Sequence, residues 1–531
     1  MFHIKETDLA GRIGNLKTNN GTIETPMLLP VIHPVHQEVS IREISTMGFR
    51  AVMTNAYITL KHYGDEAVRK GIHSIIDFDG VVMTDSGGYQ VLEYGDISVD
   101  PLEMASFEEK IGTDIAITLD TPTGIDCSRE KAERSVNETL KAAESTILNV
   151  NRDQTLWVGP IQGGIYTDLI CTSAKRMTKL GFDLLALGSP TEVMKRYNFI
   201  LLIEMIYAAK KNIPSSKPLH LFGAGHPLTI PIAVAFGCDL FDSASYMLYA
   251  RDGRYMTEYG TTKLKELSTL PCNCPVCSTH TVKELFFITH NQGPAMLATH
   301  NLYQLHKEIT NVKQAIRDGR LWDYVGIKCR SHPKLWDTFR NLDKYVDFLE
   351  DGTPLFKPRA IFFSSKPDHL RPESSRHKNM LKDITIPKHR DILILMFGKE
   401  VEPFHNSTIS NILENSLGED FGRIQICLLI PSFGVVPVEI SEIYPLSQHV
   451  SSSSLSSEPE VRKSLINDIL SFTKLHNNFR HILLTKTEGS DGFVDLVQRR
   501  LRIDEVIEAK DDVILAEIIT TAVQRLLRFN S

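Results

Sequence analysis

The sequence predicts a closed (β/α)8 barrel of the TIM type, an α/β fold, followed by a smaller α/β or α+β region. Three observations lead there. Short apolar runs recur between residues 26 and 241, each separated from the next by a stretch of helical periodicity, and about eight such units precede a cysteine-rich knuckle. Acids and glycines gather just past the ends of those runs, on the face where a barrel carries its chemistry. The alternative, an open dinucleotide-binding sheet, lacks its signature: no G-x-G-x-x-G follows the first run with an acid after the second.

Taken in order, the expected strands are residues 26–30, 51–55, 80–84, 115–119, 157–161, 184–187, 219–222 and 238–241. Their ends supply Asn55, then Thr84-Asp85-Ser86-Gly87-Gly88-Tyr89-Gln90, Leu119-Asp120-Thr121-Pro122-Thr123 and Gln162-Gly163-Gly164. Gly188-Ser189-Pro190-Thr191, Gly223-Ala224-Gly225-His226 and Phe241-Asp242-Ser243-Ala244 follow. An aspartate at the end of a buried strand is partly desolvated, which costs stability unless the group is paired or used. Asp85 or Asp242 alone reads equally well as the N-cap of the next helix. Three such acids together are more than helix capping explains. The neighbouring glycines leave room for a flat ligand against the backbone, although singly each is an ordinary turn residue.

Past the barrel strands, Cys272, Cys274 and Cys277 form C-x-C-x-x-C, and His300 follows. Pro271 and Pro275 hold this segment in a tight knuckle, so three sulfurs converge while a later helix brings an imidazole. Four protein ligands leave no open position for water, so one structural Zn2+ per chain is expected. His280 and His290 compete with His300 for the fourth place. His300 is preferred because Thr-His-Asn-Leu-Tyr-Gln-Leu-His opens a helix with the histidine on its first turn.

Composition sets the surroundings. With 531 residues, 42% hydrophobic and 23% charged, the chain is long enough for two or more domains and has the balance of a soluble globular protein. The five cysteines outside the knuckle are scattered singly, which points to a reducing, cytoplasmic setting. Neither an export leader nor an apolar run of membrane-spanning length is visible, so no membrane partner is expected. The formal net charge of −7 leaves nucleic-acid binding to local patches.

Residues 357–390 hold nine lysines and arginines, with prolines among them, and fit either an RNA-facing strip or a solvated linker. Strand-like runs then follow at 392–397, 425–430, 435–440 and 481–485, with helical periodicity over 460–476 and 511–529. The serine-rich piece 451–457 reads as a mobile loop or boundary. The expected domains are residues 1–355 for the barrel, with the zinc insertion at 271–300. Residues 356–440 form a basic linker and first C-terminal domain, and 441–531 a second.

The segments around Asp85, Asp120 and Asp242, Gly159-Pro160-Ile161-Gln162-Gly163-Gly164 and the knuckle resemble, in order and over roughly the first 350 residues, the tRNA-guanine transglycosylases. Leu221-Phe222-Gly223-Ala224-Gly225-His226-Pro227 and Ala250-Arg251-Asp252-Gly253-Arg254-Tyr255-Met256 favour the archaeal branch. The Arg-Asn-Ala-Arg type segment of the bacterial queuosine enzymes is not found. The resemblance implies exchange of a guanine at position 15, in the D-loop of tRNA, for free 7-cyano-7-deazaguanine, in archaeosine biosynthesis. By the same resemblance Asp242 stands in the nucleophile's position and Asp85 in that of the general acid/base, and the reverse assignment stays open. Asp120 is expected to receive two N–H groups of the base. Gln162, Gly188, Ser189 and Ser86 complete the base site, and Tyr89 stacks on the ring. Archaeal members often end in a PUA RNA-binding module. No match to one precedes Ser531, so a separate PUA-bearing protein is an expected partner beside tRNA, and a homodimer is expected by analogy. A queuine-type enzyme, a catalytically inactive tRNA-binding subunit and a barrel hydrolase that only removes a base are the other readings.

Overall fold

The computed structural model describes residues 2–88, 100–397, 404–452, 458–487 and 489–528. Tyr89 and residues 453–457 of the serine-rich piece lie outside the described residues. The chain divides into two compact units: Met1–Asn341 with Asp351–Pro354, and Leu342–Glu350 with Leu355–Ser531.

The first unit opens with a three-stranded antiparallel sheet, β1 (Phe2–Asp8), β2 (Gly11–Lys17) and β3 (Thr22–Thr25). Eight parallel strands follow: β4 (Met27–Pro30), β5 (Ala51–Asn55), β6 (Val81–Asp85), β7 (Ile115–Ile117), β8 (Leu156–Ile161), β9 (Leu184–Leu187), β10 (Leu219–Leu221) and β11 (Leu240–Ser243). Their order runs β4, β11, β10 and so down to β5, and a parallel bridge from Val31 to Met53 closes the ring. The expected barrel is therefore present, with every expected strand found and its ends shifted by at most two residues. The shift at β11 has a consequence: Asp242 and Ser243 belong to the strand instead of following it.

Alternate residues of each strand point inward, as the two-residue side-chain period requires. Met27 and Leu29, Ala51 and Met53, Val81 and Met83, and Ile115 and Ile117 share one buried cluster with Leu184, Ala186 and Leu240. Leu16 and Ile23 of the N-terminal sheet belong to the same cluster, so that sheet plugs one end of the barrel. The plug is fastened by Arg12, whose guanidinium donates twice to the buried carboxylate of Asp239, at 2.7 Å each. The outer helix Arg129–Asn149 presents one apolar stripe. In Arg129–Asn149 the buried Ala132, Val136, Leu140 and Ala143 recur at three- and four-residue spacing, and Ser128 caps the first turn by accepting from Lys131 N. The hairpin β12 (Arg254–Thr257) and β13 (Gly260–Lys263) leads to the cysteine knuckle and the long helix Ala295–Arg317.

The second unit contains a two-stranded pair, β14 (Ile361–Phe363) with β18 (His449–Ser451), and a five-stranded sheet. That sheet runs β17 (Gly434–Pro437), β16 (Ile424–Ile430), β15 (Ile392–Phe397), β19 (His481–Lys486) and β20 (Glu505–Glu508). It draws strands from both sides of residue 440. Ile392, Ile394 and Met396 face helices Thr408–Leu417 and Asp512–Arg528, whereas Leu393 and Leu395 face Pro459–Leu475 and Asp491–Gln498. The expected strand at 435–440 ends at Pro437, and a single 3-10 turn replaces its second half.

Residues 357–390 are folded into this unit. At least six of their nine cations form ion pairs with its carboxylates: Lys357 and Arg371 with the buried Glu373, Lys366 with Glu460, Arg376 with Glu350, Lys378 with Asp468 and Arg390 with Glu439. The stretch is thus ion-paired within a folded unit.

Candidate active site and metal centre

The three acids meet at the mouth formed by the C-terminal ends of the barrel strands. Asp85 is the last residue of β6, directly in register with Asn55 at the end of β5. Asn55 Nδ2 donates to Asp85 Oδ2 at 3.3 Å, and Gly87 N donates to Oδ1 at 3.2 Å. Burial pushes this carboxyl up to about 6; the Gly87 N–H opposes the shift and the charge of Asp242 adds to it. Below it, Thr84 Oγ1 donates at 2.7 Å to Glu108 Oε1, and burial holds the Glu108 carboxyl well above the ordinary range. Glu108 is thus a buried acid of raised proton affinity next to the Asp85 strand, on the helix Pro101–Lys110, where one glutamate beside Glu103, Glu109 and Lys110 does not stand out in the sequence.

Asp120 lies three residues beyond β7, partly open to the mouth yet densely surrounded by protein. Burial raises its carboxyl to about 7, against the hydrogen bond from Gln162 and with help from the Asp85 charge. Gln162 Nε2 donates to Asp120 Oδ2 at 2.6 Å. The other end of that amide accepts from Thr123 N at 3.0 Å and from Ser189 Oγ at 2.9 Å, which fixes which way the amide faces. Ser189 adopts φ 62° to reach it. Two glycines are set by close approach: a Cβ on Gly188 would stand 2.2 Å from Gln162 Nε2, and one on Gly88 2.5 Å from Asp120 Oδ1. Ser86 is buried beside Asp85.

Asp242 is held from one side. His220 Nε2 lies 2.9 Å from Asp242 Oδ1, and Gly223 N donates to the same oxygen at 3.0 Å. Among the described residues, both of its hydrogen-bond partners act on Oδ1. His220 is fully buried within β10. Its only sequence signal is a polar residue inside an apolar strand.

The knuckle brings Cys272, Cys274, Cys277 and His300 together, with their three Sγ atoms and the imidazole nitrogen all within 4.8 Å of one another. His300 Nδ1 stands 3.4 Å from Cys274 Sγ and 3.3 Å from Cys277 Sγ. Its Nε2 lies 2.9 Å from the Met256 carbonyl, the bond that fixes a ligating imidazole with its other nitrogen facing the metal position. Gln304 Nε2 donates to Cys272 Sγ at 2.9 Å, and the Tyr255 ring stacks on His300 with centroids 3.7 Å apart. Three thiols and one imidazole so disposed fit a four-coordinate structural metal. Of the competing histidines, His280 turns its Nδ1 to Val276 O at 2.9 Å, and His290 lies on the exposed side of Val282–Asn291, its ring stacked against Phe286.

Residues 8–334 match the family model described as Queuine tRNA-ribosyltransferase. The chain is similar to the tRNA-guanine(15) transglycosylase of Methanocaldococcus jannaschii, 41% identical over 506 residues that cover 93% of this chain and 74% of the relative. It is 40% identical over 506 residues to that of Saccharolobus solfataricus, covering 94% of this chain and 99% of the relative. A third, from Aeropyrum pernix, is 48% identical over 354 residues, or 66% of this chain and 69% of the relative.

Proposed function

The chain belongs to the queuine tRNA-ribosyltransferase family, and from that premise we propose how its barrel mouth carries out base exchange. The activity is transglycosylation of tRNA, a pentosyl transfer in which the guanine at position 15 is replaced on the way to archaeosine. The incoming base in this reading is free 7-cyano-7-deazaguanine.

One observation carries the mechanism: the acids at one mouth are anchored differently. Asp242, held through Oδ1, has Oδ2 to attack C1′ of the ribose from the face opposite the base. The C1′–N9 bond breaks as the C1′–O bond forms, and the departing guanine takes a proton from Asp85. A carboxyl near 6 exchanges protons readily at neutral pH. In the second displacement Asp85 takes the ring proton of the incoming base, whose nitrogen attacks C1′ and expels the Asp242 carboxylate. Retention of configuration follows from the two inversions. Asp120 accepts the ring N–H and exocyclic N–H of the base edge, oriented by Gln162. The Gly188-Ser189 backbone and Ser86 complete the pocket, and Tyr89 is assigned the stacking role from its place in the sequence.

Zinc suits the thiolate-rich ligand set of Cys272, Cys274, Cys277 and His300, where it would clasp the knuckle to the helix Ala295–Arg317. The partners in this reading are tRNA, the free base, a second copy of the chain and a separate PUA-bearing protein, in the cytoplasm. A radiolabelled-guanine exchange assay on tRNA with competing free bases tests it. Incorporation that depends on tRNA and is suppressed best by 7-cyano-7-deazaguanine supports exchange. Release of guanine without incorporation supports base removal, no reaction at all an inactive subunit, and preference for queuine the queuine-type enzyme.

A further inference from the structure

The short helix Thr191–Lys195 on the rim of the barrel mouth ends in a Schellman turn. Tyr197 N donates to Met194 O at 2.9 Å, and Asn198 N donates to Val193 O at 3.1 Å. The residue at that turn has to be left-handed, and Tyr197 takes φ 54°. Glycine or asparagine ordinarily fills such a position, because a bulky side chain is penalised there. Strain of this kind persists where the side chain has a use that outweighs it.

The Tyr197 side chain is not hidden in a core that would account for it. It is 50% exposed, and its ring lies flat against His332, with centroids 4.8 Å apart and planes within 13°. His332 is itself fixed, since its Nδ1 accepts from Lys334 N at 3.2 Å as the cap of helix Pro333–Phe339. Tyr249 lies in the neighbourhood of Tyr197 and meets His226 edge-on at 6.4 Å. Both of these rings border the Asp242 site. His226 follows the Gly223–Gly225 turn that binds Asp242, and Tyr249 lies on the helix Ser245–Arg251 that begins just after β11. Exposed cations flank the stacked pair: Arg196, paired with Asp126, and Lys334, whose Nζ reaches the Arg196 carbonyl at 3.5 Å.

Rigid, half-exposed rings with cations beside them are the makings of a nucleotide-stacking platform. We propose that Tyr197, backed by His332, stacks a single-stranded nucleotide of tRNA flanking the extruded guanosine, while Arg196 and Lys334 meet the neighbouring phosphates. The proposal rests on the base-exchange reading for its partner and adds a specific surface to it. An extruded nucleotide leaves its neighbours unstacked, and a ring held open at the rim replaces the lost stacking.

The test compares Tyr197→Gly and Tyr197→Phe with the unaltered chain in three measurements: direct tRNA binding, KM for tRNA and for free base in exchange, and thermal stability. Tyr197→Gly relieves the left-handed strain, so its melting temperature holds or rises. Its tRNA affinity and kcat/KM for tRNA should fall roughly 5- to 150-fold, the range expected for one lost base stack, with KM for the free base unchanged. Tyr197→Phe should restore both tRNA parameters. Unchanged tRNA binding in Tyr197→Gly overturns the proposal, as does an equal loss in Tyr197→Phe. A changed sedimentation coefficient with intact tRNA binding overturns it too, marking the surface as a protein contact. If the unaltered chain binds tRNA but exchanges no base, the catalytic reading fails while the binding comparison still decides on the platform.

Discussion

In the proposed reading Asp120 sets stability against recognition of the base, and its replacement by asparagine measures both. In the fold its carboxyl is raised from the ordinary 3.8 to about 7. A shift of roughly three units corresponds to about 4 kcal/mol at ~1.4 kcal/mol per unit, the order of magnitude by which the ionised site destabilises the folded state. The sign follows from the direction of the shift. The penalty is absent below the unfolded-state value, grows as pH rises through the interval and is complete above about 7. Asp120→Asn removes the ionisable group while its amide oxygen still accepts from Gln162 Nε2. The variant should therefore gain stability over the unaltered chain, by about 3 kcal/mol more at pH 8 than at pH 5. Affinity for the free base should move the opposite way. An amide NH2 facing an N–H of the base leaves a charged hydrogen bond unmade, a loss on the order of 2–5 kcal/mol. In the unaltered chain, base affinity should also weaken as pH falls below about 7, because the N–H donors need the carboxylate. Thermal melts at both pH values and calorimetric titration with the base read these quantities. A variant no more stable at pH 8 than at pH 5, relative to the unaltered chain, with unchanged base affinity would refute the reasoning.

Two further predictions follow from neighbouring geometry. Purified protein should carry about one zinc per chain, and both Cys274→Ala and His300→Ala should lower metal content and melting temperature, whereas His280→Ala should change neither; metal analysis that shows retention in His300→Ala would remove it from the ligand set. Gly188→Ala places a methyl 2.2 Å from Gln162 Nε2, so the amide must leave Asp120 and KM for the free base should rise about tenfold or more; steady-state kinetics with an unchanged KM would mean that Gln162 does not orient the base edge.

Much of the barrel was legible because each inward-facing strand is a short apolar run, and a run of that kind stays recognisable even when its ends move by a residue. The ends moved where polar residues continue the hydrogen-bond ladder, as Asp242 and Ser243 do opposite Leu29 and Pro30. The N-terminal sheet was missed because its first strand alternates exposed and half-buried residues and gains its partners only by plugging the barrel. The knuckle was legible from thiol spacing alone. Which histidine joins it depends on where the helix Ala295–Arg317 docks, and position in the sequence suggested His300 without excluding His280 or His290. His220 and Glu108 escaped notice because a buried polar residue looks like any other until its partner on the neighbouring element, Asp242 or Thr84, is known. The same limit applies to residues 357–390. Charge in a sequence does not say whether Glu373, Glu439 or Asp468 will be waiting for it.

The central claim, that Asp242 forms the bond to ribose while Asp85 moves the proton, is tested most directly by trapping the enzyme–tRNA adduct on a denaturing gel without added base. The unaltered chain should give an adduct that resolves when 7-cyano-7-deazaguanine is supplied. Asp242→Asn should give none, because an amide is too weak a nucleophile. Asp85→Asn should still give some adduct, formed roughly 10²–10⁴-fold more slowly and with a flattened pH–rate profile. Adduct from Asp242→Asn with none from Asp85→Asn would contradict the account and make Asp85 the nucleophile.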